Sequence, residues 1–444
     1  MISIKVKKGY DLNIEGNPSL ELEELEKPTH LAVTPERIPF IKPRLLVKEG
    51  DKVKLGSVLF EDKRNTDIKF LSPGGGEISR INFGPRRVIQ EIVIKLDENE
   101  ESESFDPISQ EVLEQTERKT LIKVLLNGGL WPLIRAFPFR DIARPEDRPP
   151  AIFVSLDAGE PFQPNPDVYL KGKRDLFGYG LQILRKLVPD VHVCVSSGSS
   201  SVLKTLNGFV THTYTGIYPA GDPGVLLYHI KKSPSENRSW YISGQDVLLL
   251  AQFLKTGVYP TERTVTLAGS SALERKHIRT RLGVPLEHLA KTENEDSRYA
   301  VGGVLRGYSA SRQTYMGFYE TSLALLPEGR EKEPFGFVRP GYEKPSYSRA
   351  FLSAFNRSAL PMNCNLHGDE RACVNCGTCA KVCAVDIPPQ FTFKCVLADE
   401  VEESLACGLL DCVECGLCSY VCPSKIDVCA ILKHAKAAYY KEQA

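Results

Sequence analysis

Eight cysteines of this 444-residue chain form two copies of one spacing, C-x-x-C-x-x-C-x-x-x-C. The first copy is Cys373, Cys376, Cys379 and Cys383; the second is Cys412, Cys415, Cys418 and Cys422, with Pro423 behind it. Three thiolates set two residues apart come off one tight turn and reach three corners of an iron-sulfur cube, leaving the fourth iron to a more distant cysteine. Gly377 and Gly416 let the backbone fold close to such a group, so that loop N–H groups can point at sulfur. In two-cluster ferredoxins the fourth cysteine of each run ligates the other cluster. The spacing therefore predicts one [4Fe-4S] cluster on Cys373, Cys376, Cys379 and Cys422 and a second on Cys412, Cys415, Cys418 and Cys383. Zinc needs two C-x-x-C pairs and would leave four thiolates without a role. Disulfides fit neither the repetition nor the lack of an export signal. Ala384 stands where the pattern usually has proline, which weakens a turn preference without removing a ligand. Cys364, Cys395, Cys407 and Cys429 fall outside the spacing and read as small buried apolar residues. Lys381, Lys425 and Arg371 flank the runs and can offset cluster charge.

The first 360 residues carry a single cysteine, Cys194, so the clusters are an appendage to a larger body. Lys plus Arg equals Asp plus Glu at 56 each, and no net field selects nucleic acid or an anionic membrane surface. No apolar run is long enough to span a bilayer, and MISIKVKKGYDLNI lacks the apolar core of a signal peptide. The expected location is peripheral, on the cytoplasmic side of the inner (cell) membrane, with membrane contact through partners alone.

Four domains are expected. Residues 1–100 contain short strands with turns between them (RLLVKEGDKVKLGSVLFEDK, IKFLSPGGGEISRI, RRVIQEIVIKL) and read as a small β module. Its phrase from Val47 to Glu61 resembles the barrel-sandwich hybrid of biotinyl and lipoyl domains, with Lys63 near the modified position but read as an ordinary loop lysine. After the acidic linker DENEESESF, residues 101–258 alternate apolar strands (AIFVSL, VHVCVS, GVLLYHI) with helices (RDLFGYGLQILRKLV, SGQDVLLLAQFLKTG), which predicts a Rossmann-like α/β domain. Residues 259–335 read as a compact α+β unit: RTVTLAG a strand, ERKHIRTRLGVPLEHLAK a helix, YAVGGVLRG a strand. Residues 336–444 hold a helical segment, SRAFLSAFNR, then a helical domain with the two clusters, ending in the helix VCAILKHAKAAYYK.

The nearest approach to a nucleotide loop is Asn127-Gly128-Gly129-Leu130-Trp131-Pro132, which lacks the spacing of G-x-G-x-x-G and places bulky side chains where a phosphate or flavin would sit. FMN and NADH binding by this chain is therefore not expected. The loop Pro219 to Gly224 reads as a turn. Trp131, Phe137 and Phe139 read as core; the alternative is a pocket for a flat quinone ring with Arg135 or Arg140 as donor.

This order of parts resembles the NqrA subunits of the Na+-translocating NADH:quinone reductase (Nqr) family, with a tail like that of the RnfC subunits of Rnf complexes. The likeness rests on KGYDLNIEGNPS, LFEDKRNTDIKFLSP, LIRAFPFRDI, the Pro-Ala-Gly of Tyr218 to Gly221, QDVLLLAQFLKTGVY, FGFVRPG and CVECGLCSYVCPSK. It implies that the α+β unit is an SLBB domain of ubiquitin-like fold and that the chain is an electron-transfer subunit of a sodium-translocating NADH:quinone oxidoreductase. Such a subunit takes part in quinone reduction and is not catalytic alone; quinone is a candidate partner beside the other subunits. The alternatives are an Rnf-type subunit exchanging electrons between ferredoxin or NAD and a membrane complex, and a docking scaffold with structural clusters.

Overall fold

The computed structural model describes residues 1–290, 296–330, 335, 338–347 and 351–443. Two small sheets face each other near the N-terminus. One has the order His30–Val33, Ile89–Leu96, Gly76–Phe83, Lys52–Val53, and the other Pro43–Leu45, Val58–Asp62, Asn65–Leu71. Alternate residues of these strands turn inward, and Leu59, Phe60, Phe70, Ile78, Ile92 and Ile94 are all but fully buried, with Phe60 stacked on Phe70 at 4.5 Å. Lys63 is exposed in the hairpin between Val58–Asp62 and Asn65–Leu71. Beside it, Arg64 donates to Asp62 and to the Tyr440 hydroxyl of the C-terminal helix.

A seven-stranded sheet follows, in the order Ile2–Lys5, His212–Thr215, Val191–Ser196, Ile152–Ser155, Trp240–Ser243, Arg135–Ala136, Asp141–Ile142. Its first five strands are parallel, and Arg135–Ala136 runs antiparallel to both neighbours. The helices Arg174–Leu187 and Gly244–Thr256 pack together so closely that a Cβ at Gly180 would strike Val247. A six-stranded sheet completes the body, in the order Tyr308–Ala310, Ser297–Val301, Ser322–Pro327, Glu262–Ala268, Lys276–Arg281, Leu22–Glu24. The cysteine runs lie among short helices that end in Val428–Gln443. Among the described residues no helix is long and apolar enough to cross a membrane.

Four expectations need correction. The first residues do not join the β module: Ile2–Lys5 is an edge strand of the seven-stranded sheet, and Leu22–Glu24 is an edge strand of the six-stranded one. GVLLYHI is a helix, Pro223–Ile230, because Asp222 caps it and Pro223 occupies its first turn. Its apolar run comes from burial between the parallel sheet and the cysteine loops, and apolar runs of this length do not distinguish strand from helix. ERKHIRTRLGVPLEHLAK is chiefly the strand Lys276–Arg281, paired antiparallel with Glu262–Ala268, followed by the short helix Leu286–Leu289. From Ile278 its period is two: Ile278 and Thr280 are buried while Arg279 and Arg281 pair with Glu24 and Glu100; His277 is buried as well, and Lys276 pairs with Glu23. Of SRAFLSAFNR, residues 348–350 lie outside the described residues, and the described remainder holds one 3-10 turn, Leu352–Phe355. There the Ser353 hydroxyl bonds the Lys344 carbonyl across a turn.

Gly283 joins the β module to the six-stranded sheet. It sits at φ +72°, its carbonyl accepts from Ala32 N, and a Cβ would run into the Ala32 carbonyl. Gly283→Ala is expected to cost about 1–3 kcal/mol, seen as a lower denaturant midpoint. Gly172→Ala, at φ +70° with open space around it, is expected to cost less.

Candidate metal centre

The two cysteine runs have the same backbone. Asn375 and Gly377 in the first, and Glu414 and Gly416 in the second, adopt left-handed φ at matching positions, as do Asp386 and Lys425 three residues after each fourth cysteine. Gly377 and Gly416 each begin a short helix, Thr378–Val382 and Leu417–Tyr420. Each turn aims N–H groups at sulfur: Thr378 N–H at Cys376 and, equivalently, Leu417 N–H at Cys415, with Glu414 N–H at Cys412 and Val385 and Ile387 N–H at Cys383. Such donors stabilise a thiolate, so the donor set fits an anionic iron-sulfur cluster.

The apolar packing groups mix the two runs: one holds Cys373 and Cys379 with Cys412, Cys418, Cys422 and Cys429, the other Cys383 with Cys412 and Cys415. Cys422, from the second run, packs with Cys373 and Cys379 of the first against Phe393, Leu409 and Leu432. Cys383, from the first run, packs with Cys412 and Cys415 of the second against Phe137, Val225 and Val413. Cys418 is buried with Cys412 beside it. Cys376 is exposed. Among the described residues no three His, Cys, Asp or Glu side chains converge on a point that would hold a single ion. Ligands of a cube stand farther apart, each on its own iron.

The Thr378 hydroxyl and N–H hold the exposed Cys376 thiol below its ordinary range, whereas burial pushes Cys415 up to about 12. The buried thiols ionise when a metal displaces their protons.

Donors from elsewhere in the chain occupy the carbonyls of the second loop. Lys436, 2% exposed, donates to Cys412 O at 2.9 Å and to Glu414 at 2.8 Å. Arg140 and Arg306 both donate to Val413 O, at 3.2 and 3.1 Å, and Tyr218 donates to Cys415 O at 2.7 Å. Both arginines pair with Asp222, which is fully buried and also caps the helix Pro223–Ile230 through Gly224 N. Burial alone would raise the Asp222 carboxyl, but Arg140 and Arg306 outweigh it and bring it down to about 2. On the first run, Lys8 reaches Ala380 O and Asp386, and His229 bonds Ala384 O.

The sequence marks Arg140 as a donor but for a different partner. Asp222, Arg306, Tyr218 and Lys436 escape it, although an aspartate directly before proline and an apolar run is a helix-start signal at Asp222. Arg371 ties the runs together by donating to Pro423 O. Of the four cysteines read as plain core, Cys395 and Cys407 contact each other, and Cys429 contacts Cys418.

The glycine loop is packed into the body of the protein. A Cβ at Gly128 would strike the Phe253 ring and one at Gly129 the Leu71 side chain, so both approaches are filled. Leu130 through Leu133 are buried, with Trp131 bonded to Ala143 O and edge-on to Trp240. Phe137 is core, and Phe139 packs against Tyr439 and Tyr440. Arg135 lies over the Tyr319 ring and donates to Arg140 O. A cavity of about 20 Å³ remains between Phe137, Arg140, Tyr228, Lys231 and Cys412, room for a water rather than a quinone ring.

The β sandwich followed by a largely parallel sheet defines a multidomain α/β protein with an N-terminal barrel-sandwich hybrid. Family models agree: residues 4–97 match the NqrA N-terminal barrel-sandwich hybrid domain, and residues 116–259 match the NqrA second alpha/beta domain. The NqrA subunit of the Na(+)-translocating NADH-quinone reductase of Yersinia pestis bv. Antiqua (strain Angola) is 34% identical over 413 residues, 92% of each chain. That of Neisseria meningitidis serogroup B is 33% identical over 446 residues, 99% of this chain and 100% of the relative. The chain therefore belongs to the NqrA family, subunits of the Na+-translocating NADH-quinone reductase. A solved NAD+-reducing [NiFe]-hydrogenase in the air-oxidized state is 12% identical over 48% of this chain and 47% of that one, with TM-score 0.36, too slight a likeness to define the fold.

Asp222→Asn is expected to leave two guanidinium groups buried around a neutral amide, at a cost of about 3–5 kcal/mol. Because the folded carboxyl lies at about 2, below the unfolded value of about 3.9, its contribution is full above pH ~4 and is lost as pH falls toward ~2. Denaturation midpoints across that window should converge for wild type and Asp222→Asn at the acid end.

Proposed function

We propose that this chain is a peripheral, cytoplasmic-side electron-transfer subunit of a sodium-translocating NADH:quinone reductase, relaying electrons through two [4Fe-4S] clusters. Cys373, Cys376, Cys379 and Cys422 hold the first, and Cys412, Cys415, Cys418 and Cys383 the second. The observation that carries this reading is the repeated backbone of the two runs, with the fourth cysteine of each packed beside the other. When bound, such clusters take up and release single electrons.

The chain's own residues make the two sites unequal. The first run lies toward solvent at Cys376, whereas the second sits beneath the parallel-sheet body with Arg306 beside Cys415 and Lys436 beside Cys412. Buried cations favour the more negative, reduced state, so the second site holds an electron more firmly and the first serves as the point of entry. N–H groups on the sulfurs fix the loops in one geometry, and the protein around them limits water at the inner site.

NADH oxidation and sodium transfer then belong to partner subunits. The filled glycine loop supports this division and weighs against the flavin-bearing Rnf-type alternative. So does the lack, among the described residues, of a helix able to cross a membrane. Quinone is a substrate of the assembled complex, which receives electrons from this chain; the cavity beside Cys412, at about 20 Å³, weighs against its being the place of the ring.

Cys415→Ser in the assembled complex tests the assignment. The expected result is loss of NADH:quinone turnover while the complex still assembles. Turnover intact with only lowered stability would mean a scaffold with structural clusters.

A further inference from the structure

The two cysteine runs repeat beyond their ligands. Seven residues after Cys383 stands Gln390, and seven residues after Cys422 stands Cys429. Each is the second residue of the helix that follows its run, Pro389–Leu397 or Val428–Gln443. Each also lies beside the third cysteine of its own run: Cys379 Sγ donates to Gln390 Oε1 at 3.4 Å, and Cys429 and Cys418 interact directly. The positions are equivalent, but the groups are not. An amide there is a hydrogen-bond partner, whereas a thiol can itself bind iron once deprotonated.

Cys429 is held in place for that role. Its N–H donates to Ser419 Oγ at 2.8 Å, and Ser419 donates to Asp427 at 2.6 Å, which pins the start of the last helix onto the helix of the second run. Its sulfur receives the Gly416 N–H, so the second turn divides its donors among Cys412, Cys415 and Cys429. It packs in one apolar group with Cys412, Cys418 and Cys422, which also takes in Cys373 and Cys379. Cys429 is thus a fifth cysteine close to the second run, interacting with Cys412, Cys415 and Cys418, where a cluster needs four ligands.

Resting on the two-cluster reading, we propose that Cys429 is a reserve ligand of the second cluster, able to take the iron corner of Cys418. The exchange is thiolate for thiolate: the iron–sulfur bond to Cys418 breaks and the departing thiolate takes up a proton, or is absent where Cys418 is replaced, while Cys429 gives up its proton and forms the new bond, and no electron moves. The first run has no such reserve, since Gln390 stands in that place.

The test compares Cys379→Ala with Cys418→Ala in the full chain, prepared anaerobically, by iron and sulfide counts and by EPR of oxidised and reduced samples. Cys379→Ala is expected to lose iron and show a three-iron signal when oxidised. Cys418→Ala is expected to keep eight irons on the scale of two four-iron clusters, and the double change Cys418→Ala with Cys429→Ala to lose the second cluster's iron. If Cys418→Ala loses iron as Cys379→Ala does, the proposal is overturned. Should the alanine variant not fold, Cys418→Ser replaces it: adding Cys429→Ala must alter the second cluster's spectrum, and an unchanged spectrum overturns the proposal. A wild-type chain without iron or sulfide would instead refute the two-cluster reading on which it rests.

Discussion

Asp222 is the point at which the parts of this chain are fastened together. Its fully buried carboxylate caps the helix Pro223–Ile230, pairs with Arg140 from the parallel-sheet body, and pairs with Arg306 from the loop between two strands of the six-stranded sheet. Both guanidinium groups then reach the carbonyl of Val413, between the first two cysteines of the second run. A buried carboxylate is costly to desolvate, and two charge-assisted partners with a helix N-terminus are what make it tolerable here. Three regions far apart in sequence are thereby brought to one loop, and the loop is a candidate cluster site.

The same junction gives the second run its particular environment. Lys436 and Tyr218 donate to the carbonyls of Cys412 and Cys415, so all the backbone acceptors from Cys412 to Cys415, apart from Glu414, are held by side chains from outside the loop. The first run is held more lightly, through Lys8 and His229, and keeps Cys376 in solvent. Identical backbones in unlike surroundings are a physical means of giving two like cofactors different affinities for an electron.

Local patterns were legible in the sequence, and long-range ones were not. The cysteine spacing marks both loops, and Gly377 and Gly416 mark their left-handed turns, because ligation and φ > 0 are demands met within a few residues. The alternation of Val58 to Leu71 marks strands for the same reason. GVLLYHI misleads because a helix buried on both sides has no polar face to show its period. KHIRTR misleads because Lys276, Arg279 and Arg281 look like a solvated helix face until Glu23, Glu24 and Glu100 are brought opposite them. Ile2–Lys5 pairs with a strand some two hundred residues downstream, and nothing local announces that pairing. Asp222 reads in the sequence as part of a turn, which misses its cap, and its two arginines acquire meaning only when the chain has folded.

The central claim, that the two runs bind a pair of iron-sulfur clusters close enough to act as one relay, is tested most directly by EPR of the anaerobically purified chain after reduction, with iron and acid-labile sulfide counted in the same sample. The account predicts two [4Fe-4S]+ signals broadened by their mutual interaction, with iron and sulfide in equal amounts. About one zinc per chain, with no acid-labile sulfide and no such signals, would contradict it.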